Sequence, residues 1–133
     1  KVVNFLKKHK EVTKVIYSTE HEKKIADRAK QYLKGGNGPM VGIELKGGIE
    51  AGKRFIESLK MFYHVANIGD ARSLAIHPAS TTHSQLNEKE LAASGVTQSY
   101  VRLCIGIEHI DDIIDDLDQA LNKSSKGSLK AVS

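Results

Sequence analysis

At 133 residues the chain is sized for one domain around one core, and 40% hydrophobic with 27% charged residues is an ordinary globular composition. Twenty basic against sixteen acidic residues leave a net charge of +4, too small and too scattered to demand a nucleic-acid partner; four tyrosines, three phenylalanines and no tryptophan are poor material for stacking bases. No window approaches about 18 consecutive apolar residues, KVVNFLKKHKEV lacks the pattern of a signal peptide, and the lone Cys104 excludes an internal disulfide and suits a reducing, cytoplasmic compartment.

Val2, Phe5 and Leu6 predict a short helical face with Lys7, Lys8 and Lys10 opposite. VTKVIYS at 12–18 is β-branched and partly alternating, which predicts a strand. Over 20–34, Ile25, Ala29, Tyr32 and Leu33 recur at helical spacing among charges, an amphipathic helix closed by Gly35 and Gly36. MVGIELK at 40–46 alternates, with Val41, Ile43 and Leu45 on one face of a second strand. After the Gly47-Gly48 turn a helix is predicted over 49–62, with Phe55, Ile56, Leu59 and Phe62 inward. Short strands near 64–68 and 72–77 follow, then a short helix over 87–95. SYVRLCIGI at 99–107 places Val101, Leu103, Ile105 and Ile107 on one face and Tyr100, Arg102, Cys104 and Gly106 on the other. A last helix over 109–122 carries Ile110, Ile113, Ile114, Leu117 and Leu121 on one stripe and Asp111, Asp112, Asp115 and Asp116 on a solvated face. Residues 123–133 read as a flexible tail. The pattern predicts one α+β domain over 1–122: a small, mostly antiparallel sheet with helices covering one face.

Most candidate chemistry dissolves under its own requirements. GGIEAGKR at 47–54 has the glycines and lysine of a phosphate loop, but Arg54 stands where a hydroxyl should reach magnesium. The aspartates at 111–118 lack the glycine and closing glutamate of a calcium loop, and His77 and His83 lack zinc-ligand spacing, so no metal site is expected. Ser80, His83 and Asp70 assemble a triad only on paper, without a nucleophile elbow. Arg102 is the feature that persists, an arginine in mid-strand beside Tyr100 and Cys104. The strand at 72–77 divides Leu74 and Ile76 from Ser73, Ala75 and His77, and the second set is expected to share Arg102's polar face. Arg102 either grips a ligand carboxylate through its planar fork or pairs with Glu44 or Glu108; spacing leaves both open.

GDARSLAIHPASTTHSQL at 69–86 and GVTQSYVRLCIGIEHIDDIIDDL at 95–117, preceded by GGIEAGKRFIESLK and YHVANIGD, are together identified as the C-terminal region of the cysteine/methionine-metabolism family of pyridoxal-phosphate enzymes. HPASTTHSQL and RLCIGIEHIDDII most resemble its O-acetylhomoserine sulfhydrylases; cystathionine γ-synthase, cystathionine γ-lyase and methionine γ-lyase share much of both. The resemblance implies the small C-terminal domain of a fold-type-I transferase, a piece of a longer, usually tetrameric enzyme. That enzyme takes O-acetyl-L-homoserine and sulfide to homocysteine and acetate. It implies that Arg102 binds the substrate α-carboxylate, that Ser73 sits beside and positions the Schiff-base lysine, and that Thr82 and His83 shape the active-site wall. It further implies that this lysine and the rest of the pyridoxal-phosphate site belong to a large N-terminal domain outside these residues. The isolated chain is then expected to be inactive and to bind no cofactor. A non-catalytic interaction module is the alternative from another class.

Overall fold

Helix α1, Val2–Lys8, buries Val2 and Leu6 one turn apart and ends on Lys7 and Lys8, where the helix dipole favours cations. The computed structural model describes residues 1–125. After α1 come β1 (Val12–Ile16), α2 (Lys23–Tyr32), β2 (Met40–Leu45), α3 (Gly48–Ser58), β3 (Tyr63–His64) and β4 (Leu74–Ile76). A 3₁₀ turn at Pro78–Ser80, α4 (Glu88–Ala93), β5 (Tyr100–Cys104) and α5 (Ile110–Ser124) complete the order. Among the described residues no helix is long and apolar enough to cross a membrane.

The sheet runs β1-β2-β5-β4-β3. The β1–β2, β2–β5 and β4–β5 pairs are antiparallel, and only β3–β4 is parallel. The core lies on one face, where Val41, Ile43, Leu45, Ala75, Val101 and Leu103 meet Val2 and Leu6 of α1, Ala51 and Phe55 of α3, and Ile113, Leu117 and Leu121 of α5. The α+β architecture with helices on one face is therefore as the alternation and helical periods predict.

The strand expected near 64–68 is only Tyr63–His64, and the one expected over 99–107 ends at Cys104, which leaves Ile107 86% exposed; four further details differ from the sequence reading. First, α3 ends at Ser58 instead of 62. The backbone amides of Lys60, Met61 and Phe62 donate to the carboxylate of Asp116 at 2.9, 2.9 and 3.3 Å, which draws the segment out of the helix. Asp116 is accordingly buried and does not belong to the solvated face of α5. Second, α2 forms, but only Ala29 of its stripe is buried; Ile25, Tyr32 and Leu33 stay 46%, 74% and 43% exposed. Periodicity shows which face of a helix is apolar, not what covers it. Third, α5 continues to Ser124, which is buried and whose carbonyl accepts from Arg54 Nε at 2.9 Å, so the expected tail does not start at 123; residues 126–133 of that segment lie outside the described residues.

The fourth difference is the facing of β4. Cα partners across an antiparallel pair share a face, and here Ile76 opposes Arg102, Leu74 opposes Cys104, and Ala75 opposes Leu103. Leu74 and Ile76 thus lie on Arg102's side, while Ala75 lies on the helix side. His77, on Ala75's side by alternation, is fully buried and packed so closely on Gly52 of α3 that a Cβ there would come 2.6 Å from the imidazole Cδ2. The alternation within β4 was legible; which half faced the helices depends on pairing register, which one strand alone does not state.

Candidate active site on the sheet face opposite the core

Strands β2 and β5 build the site. Gly42 opposes Arg102 across the β2–β5 pair, and Tyr100 is two residues along on the same face. Gly42 has no side chain to stand up from the sheet, so the Tyr100 ring lies across it; a Cβ there would come 2.6 Å from Tyr100 Cε2. Burial pushes the Tyr100 phenol above its ordinary value of 10.0, with the Arg102 cation opposing, so the group stays a neutral hydroxyl. Arg102, Tyr100 and Gly42 line a cleft of about 230 Å³ with Tyr17, Ser18 and His21 from the end of β1 and beyond. The Ser18 hydroxyl is buried there without a hydrogen-bond partner.

Arg102 keeps its charge available. Both carboxylates expected as ion-pair partners are engaged elsewhere: Glu44 with Lys14 at 3.8 Å, Glu108 with Ser73. Among the described residues Arg102 has no salt bridge; its Nη2 donates only to the backbone carbonyl of Asn67, at 3.3 Å. That single bond anchors one edge of the guanidinium and leaves the remaining donors of the fork for an anion.

The other sequence candidates lie apart from this cleft. Ser73 is fully buried. Its hydroxyl donates to Glu108 Oε2 at 2.8 Å and accepts from the Gly106 amide at 2.9 Å, while its own amide donates to Glu108 Oε1 at 2.6 Å. The expected shared polar face with Arg102 is therefore corrected: the serine's only proton is held inside the chain. Thr82 and His83 follow the 3₁₀ turn and share a hydrogen bond of 2.8 Å with each other; neither lines the Arg102 cleft. Ser18 and the bidentate role of Glu108 were missed. Ser18 carries no sequence signal, whereas Glu108, two residues past Gly106 in the turn after β5, could have been read as closing that turn.

The free edge of a guanidinium can take a carboxylate by two parallel hydrogen bonds. Among the described residues no lysine is buried, and the one glycine-led helix entry that might hold a phosphate, at α3, carries Glu50 in its first turn paired with Lys53 at 2.8 Å. Among the described residues no group of three potential metal ligands assembles either.

A family model described as Cys/Met metabolism PLP-dependent enzyme matches residues 1–122. The chain belongs to that family. Within it, the chain is 50% identical over 122 residues to an O-acetyl-L-homoserine sulfhydrylase of Leptospira meyeri, covering 91% of this chain and 28% of the relative. It is 55% identical over 95 residues to O-acetyl-L-homoserine sulfhydrylase 1 of Thermus thermophilus, covering 71% of this chain and 23% of the relative. A Campylobacter jejuni structure described as an O-acetylhomoserine (thiol)-lyase superposes with a TM-score of 0.81 at 41% identity, over 91% of this chain and 29% of that one. That structure carries an N'-pyridoxyl-lysine-5'-monophosphate. The chain thus spans about a quarter of the length of the family members it matches.

Proposed function

We infer that this chain is the substrate-carboxylate side of a pyridoxal-phosphate-dependent O-acetylhomoserine sulfhydrylase, which replaces the acetoxy group of O-acetyl-L-homoserine by sulfide and releases homocysteine and acetate. The observation that carries the reading is the Arg102 guanidinium, on the sheet face opposite the core, anchored by one carbonyl and free of any carboxylate among the described residues. The relatives named as sulfhydrylases support the substrate. The described residues do not fit the cofactor itself, since they offer no buried lysine; the cofactor site belongs to the part of the longer protein these residues do not include. What Arg102 contributes is orientation: two parallel hydrogen bonds fix the α-carboxylate and hence the direction in which the rest of the amino acid points. On this reading Ser73 contributes to the lysine's surroundings indirectly, since its hydroxyl is held within the chain.

In the full-length enzyme, Arg102→Lys replaces a planar fork with a point charge and is expected to raise KM for O-acetyl-L-homoserine by roughly 10- to 100-fold, the range of a lost charge-assisted hydrogen bond. Steady-state kinetics over a range of O-acetyl-L-homoserine at saturating sulfide gives the answer. An unchanged KM would remove Arg102 from the carboxylate site.

A further inference from the structure

The connection from β3 to β4 has to do unusual work. The two strands are parallel, so no tight hairpin can join them, and residues 65–73 double back before β4 begins. That return path brings the Asn67 carbonyl to Arg102 Nη2. It is fastened at its far end: the Ile107 amide donates to the Ala71 carbonyl at 2.9 Å, and Ser73 is gripped by Glu108 through both carboxylate oxygens. Gly106 completes the grip by donating its amide to Ser73 Oγ. A side chain at Gly106 would press on the Ala71 carbonyl and the Glu108 carboxylate, and its Cβ would stand 2.6 Å from the Arg72 carbonyl carbon. Glycine is what lets the turn after β5 lie flat against the segment.

We propose that Glu108 is a positioning residue for Arg102. It acts through Ser73 and the 65–72 segment, whose Asn67 carbonyl sets the guanidinium. The mechanism is geometric. A carboxylate is acceptor-only, so Glu108 can receive the amide on one oxygen and the hydroxyl proton of the same serine on the other. Burial disfavours the Glu108 charge, but the Ser73 amide, a further backbone amide and the Ser73 hydroxyl outweigh it and hold the carboxyl below its ordinary value, so the clamp stays closed at neutral pH. The Ser73 hydroxyl, with its proton committed to Glu108, is an acceptor toward the Gly106 amide. Arg102 and Glu108 stand on one strand and the turn that follows it, so the clamp measures the distance between β5 and the returning segment. Losing it frees the Asn67 carbonyl to drift from the guanidinium. This rests on the carboxylate reading of Arg102 for its catalytic consequence, but not for the positioning itself.

The test is Glu108→Gln in the full-length enzyme. Glutamine keeps the shape, but its amide nitrogen cannot accept, so one of the two Ser73 bonds is lost or reversed. Two quantities are read: the rate at which phenylglyoxal labels Arg102, followed by peptide mass mapping, and the kinetics with O-acetyl-L-homoserine. Expected are a several-fold faster labelling of Arg102 and a roughly tenfold higher KM with kcat within about twofold, the signature of lost ground-state binding. Faster labelling with KM unchanged would uphold the positioning and fail the carboxylate reading instead. Unchanged labelling overturns the proposal, as does a loss confined to kcat. Should Glu108→Gln not fold, Ser73→Ala keeps the amide bond to Oε1 and removes the two bonds of the hydroxyl, to Glu108 Oε2 and from the Gly106 amide. It is expected to shift labelling in the same direction by less, and an unshifted rate there also overturns the proposal.

Discussion

His77 shows how a polar residue becomes structural. Its Nδ1 is 2.8 Å from Ser80 Oγ and its Nε2 2.8 Å from the Gln98 carbonyl. A carbonyl can only accept, so Nε2 carries the proton and Nδ1 accepts from the serine hydroxyl: a neutral imidazole with both nitrogens satisfied. Burial pushes its pKa below the ordinary 6.5, against the pull of the Gln98 carbonyl and with the Lys53 cation adding to the depression. The sign of the consequence follows directly. Below about 6.5 the unfolded chain takes up a proton that the folded chain still refuses, so stability falls as pH drops through that value and levels off below the folded pKa. Urea unfolding at pH 7 and pH 5 is expected to show a smaller pH-dependent loss for His77→Gln than for the parent. Equal losses would mean that the imidazole is not held neutral. Nothing in HPASTTHSQL distinguishes this buried histidine from the more exposed His83, because burial comes from Gly52, 25 positions upstream in the chain and on another element.

Helices α3 and α5 pack on each other, and the contact is stitched by one carboxylate. Asp116 accepts the amides of Lys60, Met61 and Phe62 and takes a fourth bond from Gln119 Nε2 at 3.0 Å. It serves the segment after α3 as an N-cap serves a helix, giving amides with no other partner an acceptor. Asp116→Ala is expected to cost about 2–4 kcal/mol, since several poorly hydrated donors lose their partner at once. Asp116→Asn, with one acceptor oxygen kept, is expected to cost about half of that. Chemical denaturation of the two variants checks the order; equal, sub-kcal effects would show the amides solvated. The apolar stripe of α5, with Ile113, Leu117 and Leu121 inward, was plain in the sequence. The role of Asp116 was not, because an aspartate in an acidic run looks the same whether its partner is water or a backbone 54–56 residues away. The same holds for Glu108, which sequence proximity offered to Arg102 and geometry gives to Ser73.

At the scale of the molecule, one face of the sheet is buried under α1, α3 and α5, while several large apolar side chains elsewhere stay exposed. The helix-covered face was legible because alternation and helical period both report burial within the chain. The exposed stripe of α2, with Ile68 and Ile107 at 58% and 86% exposure, was not, because neither period reports what a side chain meets once nothing among the described residues covers it. On the proposed function, these residues hold the substrate's carboxylate and the imine-forming lysine belongs to the longer protein. Every described lysine is wholly or partly exposed, so none has the enclosed, desolvated setting that selects one amine as a Schiff base. Pyridoxal phosphate mixed with the 133-residue chain, then reduced with borohydride and mapped by mass, is therefore expected to label several exposed lysines at low, non-saturating yield. The full-length enzyme treated alike is expected to carry one stoichiometric label outside residues 1–125. A single saturable label on one described lysine would place the cofactor within this chain and overturn the assignment of its residues to the substrate side.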